Sequence, residues 1–566
     1  MKRKIALLLT AVMVTGMFAG CGNSGTSSSE NTSGSSAAAA FSLENADPDF
    51  KYDEPVTLSS YFEISPTIMS DFDQETVVNS LYYQRLKERT NISIDWKWFA
   101  ANTTDDSVQK KSVAIASGDI PDFMIVNSSQ LALLAKSDLI NRDIGKVFDA
   151  YASDTLKEWT TAEGDAALDS AKDKGDIIAI PLVGSSVDTA DVLWIRRDWI
   201  EKLGLEMPKT LEDLYNVMIA FRDQDPDGNG EADTLGMVIH NNFLSTGLGD
   251  ATGIFNGFGA YPELWIDDGN GGLEYGVEDA DANKEALNYL AKMYQEGLIE
   301  QDFSSNDETK GTEPAAAGKA GVQYGRLWNA NWPLNATVQN DPEADWVAIS
   351  MPTADGGDIH PQIKLDVQGY VVVNKKCEHP EAVVRMLNFW CDAWSADEDS
   401  DYNDYLVDDG NGGKEFPQHW VMLKTYYPLA NVTRHLEVLE AMESGDASKL
   451  NQEAKSYYDA VEGYLAGNTV ENYGGMKTFG DDMSSVGVIN EYNEKNLFLM
   501  DGFTGAPTET MGQKLSTVND KIMEYYTKVI MGIESTDSYD DFLKEVNALG
   551  LEKMTEEVNE WNANRK

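Results

Sequence analysis

Asp225-Pro226-Asp227-Gly228-Asn229-Gly230-Glu231-Ala232-Asp233 puts oxygen-bearing side chains at its first, third, fifth and ninth positions, a glycine at the sixth and a free backbone carbonyl at the seventh. A hard cation that gathers oxygen ligands at about 2.3–2.6 Å, calcium above all, needs this spacing from an EF-hand-type loop. Asp225, Asp227, Asn229, Glu231 and Asp233 are the candidate ligands. The twelfth position, where a bidentate glutamate closes such loops, is Gly236, and the strand-like run Met237-Val238-Ile239 follows where a second helix would stand. A calcium ion here must complete its shell from water, a shifted carboxylate or another part of the chain. Its expected role is structural, because the loop follows a helix and carries no catalytic partner. The other reading of these residues is an acidic Gly/Asn turn with no ion.

A second chemical signal lies at the N-terminus. Lys2-Arg3-Lys4 precedes an apolar run from Ile5 to Phe18, interrupted by Thr10, Thr15 and Gly16. That run is short for a membrane span and reads as an export signal over residues 1–20. Phe18-Ala19-Gly20-Cys21 closes it. Small residues ahead of a cysteine resemble the bacterial lipobox, in which the cysteine is acylated and becomes the new N-terminus; Phe18 stands where leucine is usual. The alternative is an ordinary signal peptide with a chance cysteine. Gly22 to Ala40 is nearly all Gly, Ser, Thr, Asn and Ala, a composition that buries no apolar surface, so residues 21–50 are expected to form a tether anchored by the lipid on Cys21. A Gram-positive-type lipoprotein on the outer face of the cell membrane is the implied location.

Elements must position these groups. From Pro55 the periodicity predicts a strand over Val56 to Phe62, a helix over Asn79 to Thr90, a strand over Ile92 to Trp96, a helix over Ser107 to Ser117 and a buried strand over Pro121 to Val126. Strands alternating with helices imply parallel pairing and an α/β fold. Ligands in open α/β sheets bind beyond the carboxyl ends of the strands, which nominates Tyr61, Phe62, Glu63, Asn127 and Ser128. Further on, Val192 to Arg196 reads as a strand, Asp198 to Leu203 as a helix stopped by Gly204, and Thr210 with Asp213 as a capping box. Helical spacing also marks Glu285–Glu296, Glu381–Trp394, Thr433–Glu443, Asn451–Leu465, Leu515–Met531, Asp540–Leu549 and Thr555–Ala563. The matching Asp-Asp-Gly-Asn-Gly-Gly segments from Asp267 and from Asp408 suit tight hairpin turns.

Composition narrows the function class. The chain has 566 residues, with 44 Lys+Arg against 95 Asp+Glu and a formal net charge of -51. Loss of residues 1–20 removes three basic residues and leaves 41 against 95, near -54. Such a surface cannot track nucleic-acid phosphates or dock on anionic lipid by a basic face. Three cysteines make no disulfide scaffold and five histidines leave little for zinc. Cys377 precedes the helix that carries Cys391, roughly 15 Å or more away along it, so no disulfide joins them.

Several segments together carry a family likeness. Leu193-Trp194-Ile195-Arg196-Arg197-Asp198-Trp199-Ile200 with Lys202-Leu203-Gly204-Leu205, Pro208 and Thr210-Leu211-Glu212-Asp213 resembles the patterned segment of extracellular solute-binding lipoproteins. So do Tyr294 to Ile299, Gly318 to Val322, His379 to Ala382, Phe503 to Thr508 and Thr555 to Trp561. The branch resembled is the lipoprotein A-like, carbohydrate-binding group of family 1 solute-binding proteins of ABC importers. The resemblance implies a two-lobed, type II-like periplasmic-binding-protein clamp with discontinuous lobes joined by a hinge. One lobe would span approximately residues 51–185 with a later segment near 350–450, the other approximately 190–345 with the C-terminal helices. It implies a monomer that closes on an oligosaccharide, passes it to membrane permease subunits and makes or breaks no bond. Some oligosaccharide-binding relatives hold calcium in a helix-loop-strand arrangement, which supports the ion at Asp225–Asp233.

Aromatic rings suit pyranose faces, and the chain has 13 Trp and 24 Tyr. Those beside Gly, Asn or Pro outside regular periodicity are the better cleft candidates: Phe258, Trp328 and Trp332, with Arg326, and Tyr370. Trp194 sits within a strand and is nominated with less ground; Trp390 and Trp394 lie on a helix face and read as core. An exported carbohydrate-active hydrolase is the rival reading, with a surface-binding lipoprotein of another kind behind it. No Gly-x-Ser-x-Gly elbow and no His-Glu-x-x-His motif supports the enzyme. The negative field favours a neutral oligosaccharide over a polyuronate, subject to reversal by a cleft arginine such as Arg326.

Overall fold

The computed structural model describes residues 43–44, 46–64, 69, 72, 74–101, 105–244, 246–394, 403–405, 407–408, 414–415 and 417–565. The expected export signal, the Cys21 acylation site and the tether up to residue 42 lie outside them. The framework strands are β1 (Val56–Ile64), β2 (Ile92–Ala101), β3 (Phe123–Val126), β4 (Ile180–Val183), β5 (Val192–Arg196), β6 (Leu235–Met237), β7 (Leu248–Asp250), β8 (Ala320–Gly325), β9 (Trp346–Ile349) and β10 (Val367–Val373).

β1 and β2 pair in parallel, with Val56 opposite Ile92, as the strand-helix-strand pattern predicts. β3 departs from that expectation. Its ladder runs antiparallel to β10, which also takes β4 antiparallel on its other side. Side chains join β1 to β3 instead: Ser59 donates its amide and its hydroxyl to Asp122, each at 2.7 Å, and the Ser60 hydroxyl donates to the Phe123 carbonyl at 2.9 Å. Residues on the β3–β10–β4 sheet alternate between two apolar clusters. Phe123, Val371 and Val373 face one, while Met124, Val126, Tyr370 and Val372 face the other. A sheet covered on both faces reads as an unbroken apolar run, which is why these short strands show no polar alternation.

A second sheet has β5 at its centre, antiparallel to β9 on one side and to β8 on the other; β8 then takes β6 in parallel and β7 antiparallel. Its core spans Val187 to Ile359 and resumes from Val432 to Val558. The helices expected on the C-terminal side are present with small boundary shifts, and Thr469–Phe479 and Ser485–Glu494 add two that the periodicity had not marked. Thr210 and Asp213 form the expected reciprocal cap at 3.0 Å in each direction, and Gly204 ends its helix with a left-handed φ of 65°. The Asp267 segment joins an antiparallel strand pair; of the Asp408 segment, residues 409–413 lie outside the described residues. Cys377 and Cys391 are buried and are not joined by a disulfide.

The result is a two-lobed α/β body. The chain leaves one apolar core for the other between Leu182 and Val187, between Ile359 and Val371 and between Leu423 and Val432, and hydrogen bonds lace these crossings together. Gly184 N donates to the Asp366 carbonyl at 2.9 Å, Ser185 N to the Asp366 carboxylate at 3.0 Å, and the Ser185 hydroxyl to the Pro428 carbonyl at 2.5 Å. A Cβ on residue 184 would stand 2.0 Å from Asp366 Oδ2, so only glycine lets the first two crossings approach this closely.

Candidate ligand-binding site

The carboxyl ends of β1 and β3 open into a cleft of about 300 Å³ on the first lobe, lined among others by Glu63, Lys111, Asn127, Gln368, Met422 and Lys424. Glu63 is bound: Lys111 Nζ lies 3.0 Å from its carboxylate and the Ser107 hydroxyl donates to it. Lys111 also donates to the Ile125 carbonyl at 3.2 Å. Asn127 caps the helix Ser128–Ala135, accepting from Gln130 N at 2.9 Å while its own amide N–H donates to Gln130 Oε1 at 3.2 Å. Gln368 is turned toward the crossing and donates to Asp366 Oδ1 at 2.7 Å. Lys424 Nζ donates to the Val421 carbonyl at 2.9 Å. The loss of solvation pushes its ammonium down to about 8.

A smaller pocket of about 20 Å³, room for about one water, lies on the second lobe beside the same crossing and is lined by Asp191, Gly247, Thr252, Arg326, Gln362 and Lys364 among others. Asp250 gathers the amides of Thr246, Gly247 and Thr252 at 2.8–2.9 Å. Asp191 beside it is buried with one carboxylate oxygen unpartnered among the described residues, and Arg326 Nε is likewise buried without a partner among them. Burial first, and then the charge of Asp250, push the Asp191 carboxyl well up, against the opposing pull of Arg326.

Of the aromatic and strand-end candidates, the structure brings Glu63 and Asn127 to the first-lobe cleft and Arg326 to the pocket across the crossing. Trp328 and Trp332 follow Arg326 and are 37% and 44% exposed, with ring surface free for a ligand. Five candidates are corrected. Tyr61 is buried and stacks on Trp98 at 4.4 Å, and Phe62 is enclosed with Trp96 at 4.8 Å, because both faces of β1 are covered and only Glu63 reaches the opening. Trp194 is 0% exposed in the central strand of the second sheet. Tyr370 packs in the first-lobe core and donates to the Ser170 hydroxyl at 2.9 Å. Phe258 is half-buried against the second-lobe core, edge-on to Tyr289 at 5.6 Å. Sequence reasoning missed Lys111, Gln368, Met422 and Lys424; the last two lie in the aperiodic stretch before Pro428, the kind of segment that had flagged Arg326.

The acidic loop follows the helix Leu211–Asp223 and leads into β6. Asp225, Gly228 and Gly230 take positive φ values of 45°, 75° and 81°, which fold the loop back on itself. Asn229 Nδ2 donates to Asp227 Oδ2 at 2.8 Å and to Asp233 Oδ1 at 3.0 Å, and Gly230 N donates to Asp225 Oδ2 at 3.1 Å. Burial, then the neighbouring Asp225 and Asp233, raise the Asp227 carboxyl above its ordinary value. Lys319 pairs with Asp233 at 2.6 Å and lowers it. Among the described residues Asp225 Oδ1 is buried without a partner. These all-oxygen donors suit a hard cation. Among the described residues, however, no three His, Cys, Asp or Glu side chains already stand in coordinating positions.

The family model of bacterial extracellular solute-binding proteins matches residues 76–393. The chain belongs to that family. It is 31% identical over 353 residues to the fructooligosaccharide ABC transporter substrate-binding protein FusA of Streptococcus pneumoniae, covering 60% of this chain and 59% of FusA. Lipoprotein LipO of Bacillus subtilis is 29% identical over 245 residues, 42% of this chain and 45% of LipO. These alignments thus span about half the length of the curated relatives. Among solved structures, an HMO-binding, ABC-transporter associated solute-binding protein from Bifidobacterium longum infantis superposes with a TM-score of 0.60 at 17% identity, over 91% of this chain and 99% of that one. An EF-hand mutant of S. pneumoniae FusA in complex with fructo-nystose gives a TM-score of 0.52 at 18% identity, over 90% and 99%. These likenesses show the two-lobed solute-binding fold. Among the described residues no helix is long and apolar enough to cross a membrane.

Proposed function

We propose that this solute-binding protein is the surface-held binding component of an ABC importer, which takes an oligosaccharide between its lobes and presents the closed form to membrane permease subunits. The observation that carries the reading is the pairing of two polar pockets on one crossing. Gln362 and Lys364 border the second-lobe pocket with Arg326, and Gln368 borders the first-lobe cleft with Glu63, Asn127 and Lys424. A ligand spanning both touches each lobe and the hinge, so it binds the closed form better than the open one and shifts the population toward it. Trp328 and Trp332 offer faces for pyranose rings. The description of FusA as a fructooligosaccharide ABC transporter substrate-binding protein supports this class of ligand.

In this reading the protein works as a monomer on the extracellular face, residues 1–20 are removed, Cys21 carries the lipid and residues 21–50 form the tether. LipO's description as a lipoprotein supports the anchor. Calcium held by Asp225, Asp227, Asn229, Glu231 and Asp233 braces the second lobe and takes no part in ligand chemistry; the naming of an EF-hand in FusA supports it. Titration calorimetry over an oligosaccharide panel, followed by chromatography of the recovered ligand, tests the function. Saturable binding with the sugar intact is expected. Turnover of the bound oligosaccharide, or no binding across the panel, overturns it.

A further inference from the structure

Lys424 stands out in the first-lobe cleft. The chain has 95 acidic residues for 44 basic ones, so a lysine has carboxylates in excess to choose from. Lys111, in the same cleft, has taken one, at 3.0 Å from Glu63. Among the described residues Lys424 has none: its one hydrogen bond there is to the Val421 carbonyl at 2.9 Å, and no carboxylate pairs with it. An ammonium has three donors, so two remain unused. Holding a lysine out of water with no opposite charge costs stability, and the shift of its ionisation down to about 8 is the same cost seen from the proton's side. A cleft for neutral sugar hydroxyls has no need of it, since amides serve hydroxyls without that cost.

With Glu63 and Lys111 neutralising each other, the cleft's side chains carry one uncompensated positive charge, in a body of net charge -51. Resting on the binding function proposed above, we infer that the first-lobe cleft takes a carboxylated saccharide, an oligouronate, with one uronate carboxylate on the Lys424 ammonium. Asn127 Nδ2 and the Gln368 amide lie around the same opening to take ring hydroxyls, and Leu182 and Met422 provide an apolar floor. A volume of about 300 Å³ is at the small end of ligand pockets, ~300–1,000 Å³, and suits one terminal sugar unit with the chain continuing toward the crossing. This reverses the preference for a neutral sugar that the overall charge suggests. The repulsive field of the body is screened beyond about 8–10 Å in physiological salt, whereas a contact ion pair inside a walled cleft is not.

The test measures calorimetric binding to the full mature chain of di- to tetrasaccharides of galacturonate, glucuronate and mannuronate, each beside its carboxyl-reduced neutral counterpart. At least one oligouronate is expected to bind about tenfold or more tighter than its reduced form, the size of effect lost when a buried charge partner is removed. Lys424→Met is expected to abolish that difference between the oligouronate and its reduced form. Because the comparison on the unaltered protein stands alone, a misfolded variant does not rescue the inference. Equal or tighter binding of the reduced sugars overturns the inference and leaves the transport function standing, while binding of neither class overturns both.

Discussion

Asp188 sits just past the first crossing, where Asn431 Nδ2 donates to it at 2.7 Å. Burial pushes its carboxyl up to about 6, with Glu163 and Asp366 adding to the shift and the bonds from Asn431 and Ser185 opposing it. A carboxyl raised in the folded state favours folding while protonated, and that contribution is lost as pH rises through about 6. Asp188→Asn keeps the acceptor for Asn431 and removes the charge. The variant should be more stable than the parent by up to about 3 kcal/mol at pH 7.5 and indistinguishable from it near pH 4, read by denaturant melts at both pH values. A gain that persists undiminished at pH 4 would remove the electrostatic explanation. Exposure separates the tryptophans in the same way. Trp194→Ala should cost about 3–5 kcal/mol because it empties the centre of the second sheet. Trp328→Ala and Trp332→Ala should each change stability by less than about 0.5 kcal/mol and weaken oligosaccharide binding about three- to tenfold, matched by melts and calorimetry on the same preparations. Residue type was legible in the sequence for all three tryptophans; which face is free was not, because coverage of a strand's second face is set by segments far along the chain.

Elements with local causes were the legible ones. The Thr210–Asp213 cap, the Gly204 stop and the Asp267 hairpin each follow from residues within five positions of one another, and each stands where spacing placed it. The antiparallel pairing of β3 with β10 was not legible, since Tyr370 opposite Val126 joins residues more than two hundred positions apart. The loop between Leu211–Asp223 and β6 lies between these cases: its oxygen donors follow from spacing, while the arrival of Lys202 at the Pro226 carbonyl, 2.6 Å away, and of Lys319 at Asp233 does not. These lysines bear on the calcium proposal. At calcium about a hundredfold above its dissociation constant, the protein should gain about 2.7 kcal/mol against unfolding. The double variant Asp225→Asn, Asp227→Asn should lose that response and, in chelator, be no less stable than the parent, because the partly buried charge and the neighbouring carboxylate that raise the Asp227 carboxyl are gone. Parallel melts in calcium and in chelator decide it; an unchanged parent melt means that the lysines alone hold the loop.

At the scale of the whole molecule, the charge of -51 excludes partners but does not hold the lobes together; the crossings do. Their separation is set at Gly184, where the Asp366 carboxylate occupies the space a side chain would take. The same carboxylate receives Ser185 N and the Gln368 amide and feels the charge of Arg326, so it connects the crossing to both pockets. Gly184→Ala forces these apart while touching neither lobe's core. Overpacking of this kind costs about 1–3 kcal/mol, and here the displacement falls on the surfaces that must meet around a ligand. The variant should therefore keep its secondary structure by circular dichroism, bind oligosaccharide at least about tenfold more weakly, and show less of the ligand-induced compaction that small-angle scattering reads in the parent. Loss of stability without loss of affinity would make Gly184 a packing glycine only. Loss of affinity with the compaction intact would place its effect in one pocket and remove the hinge from the explanation.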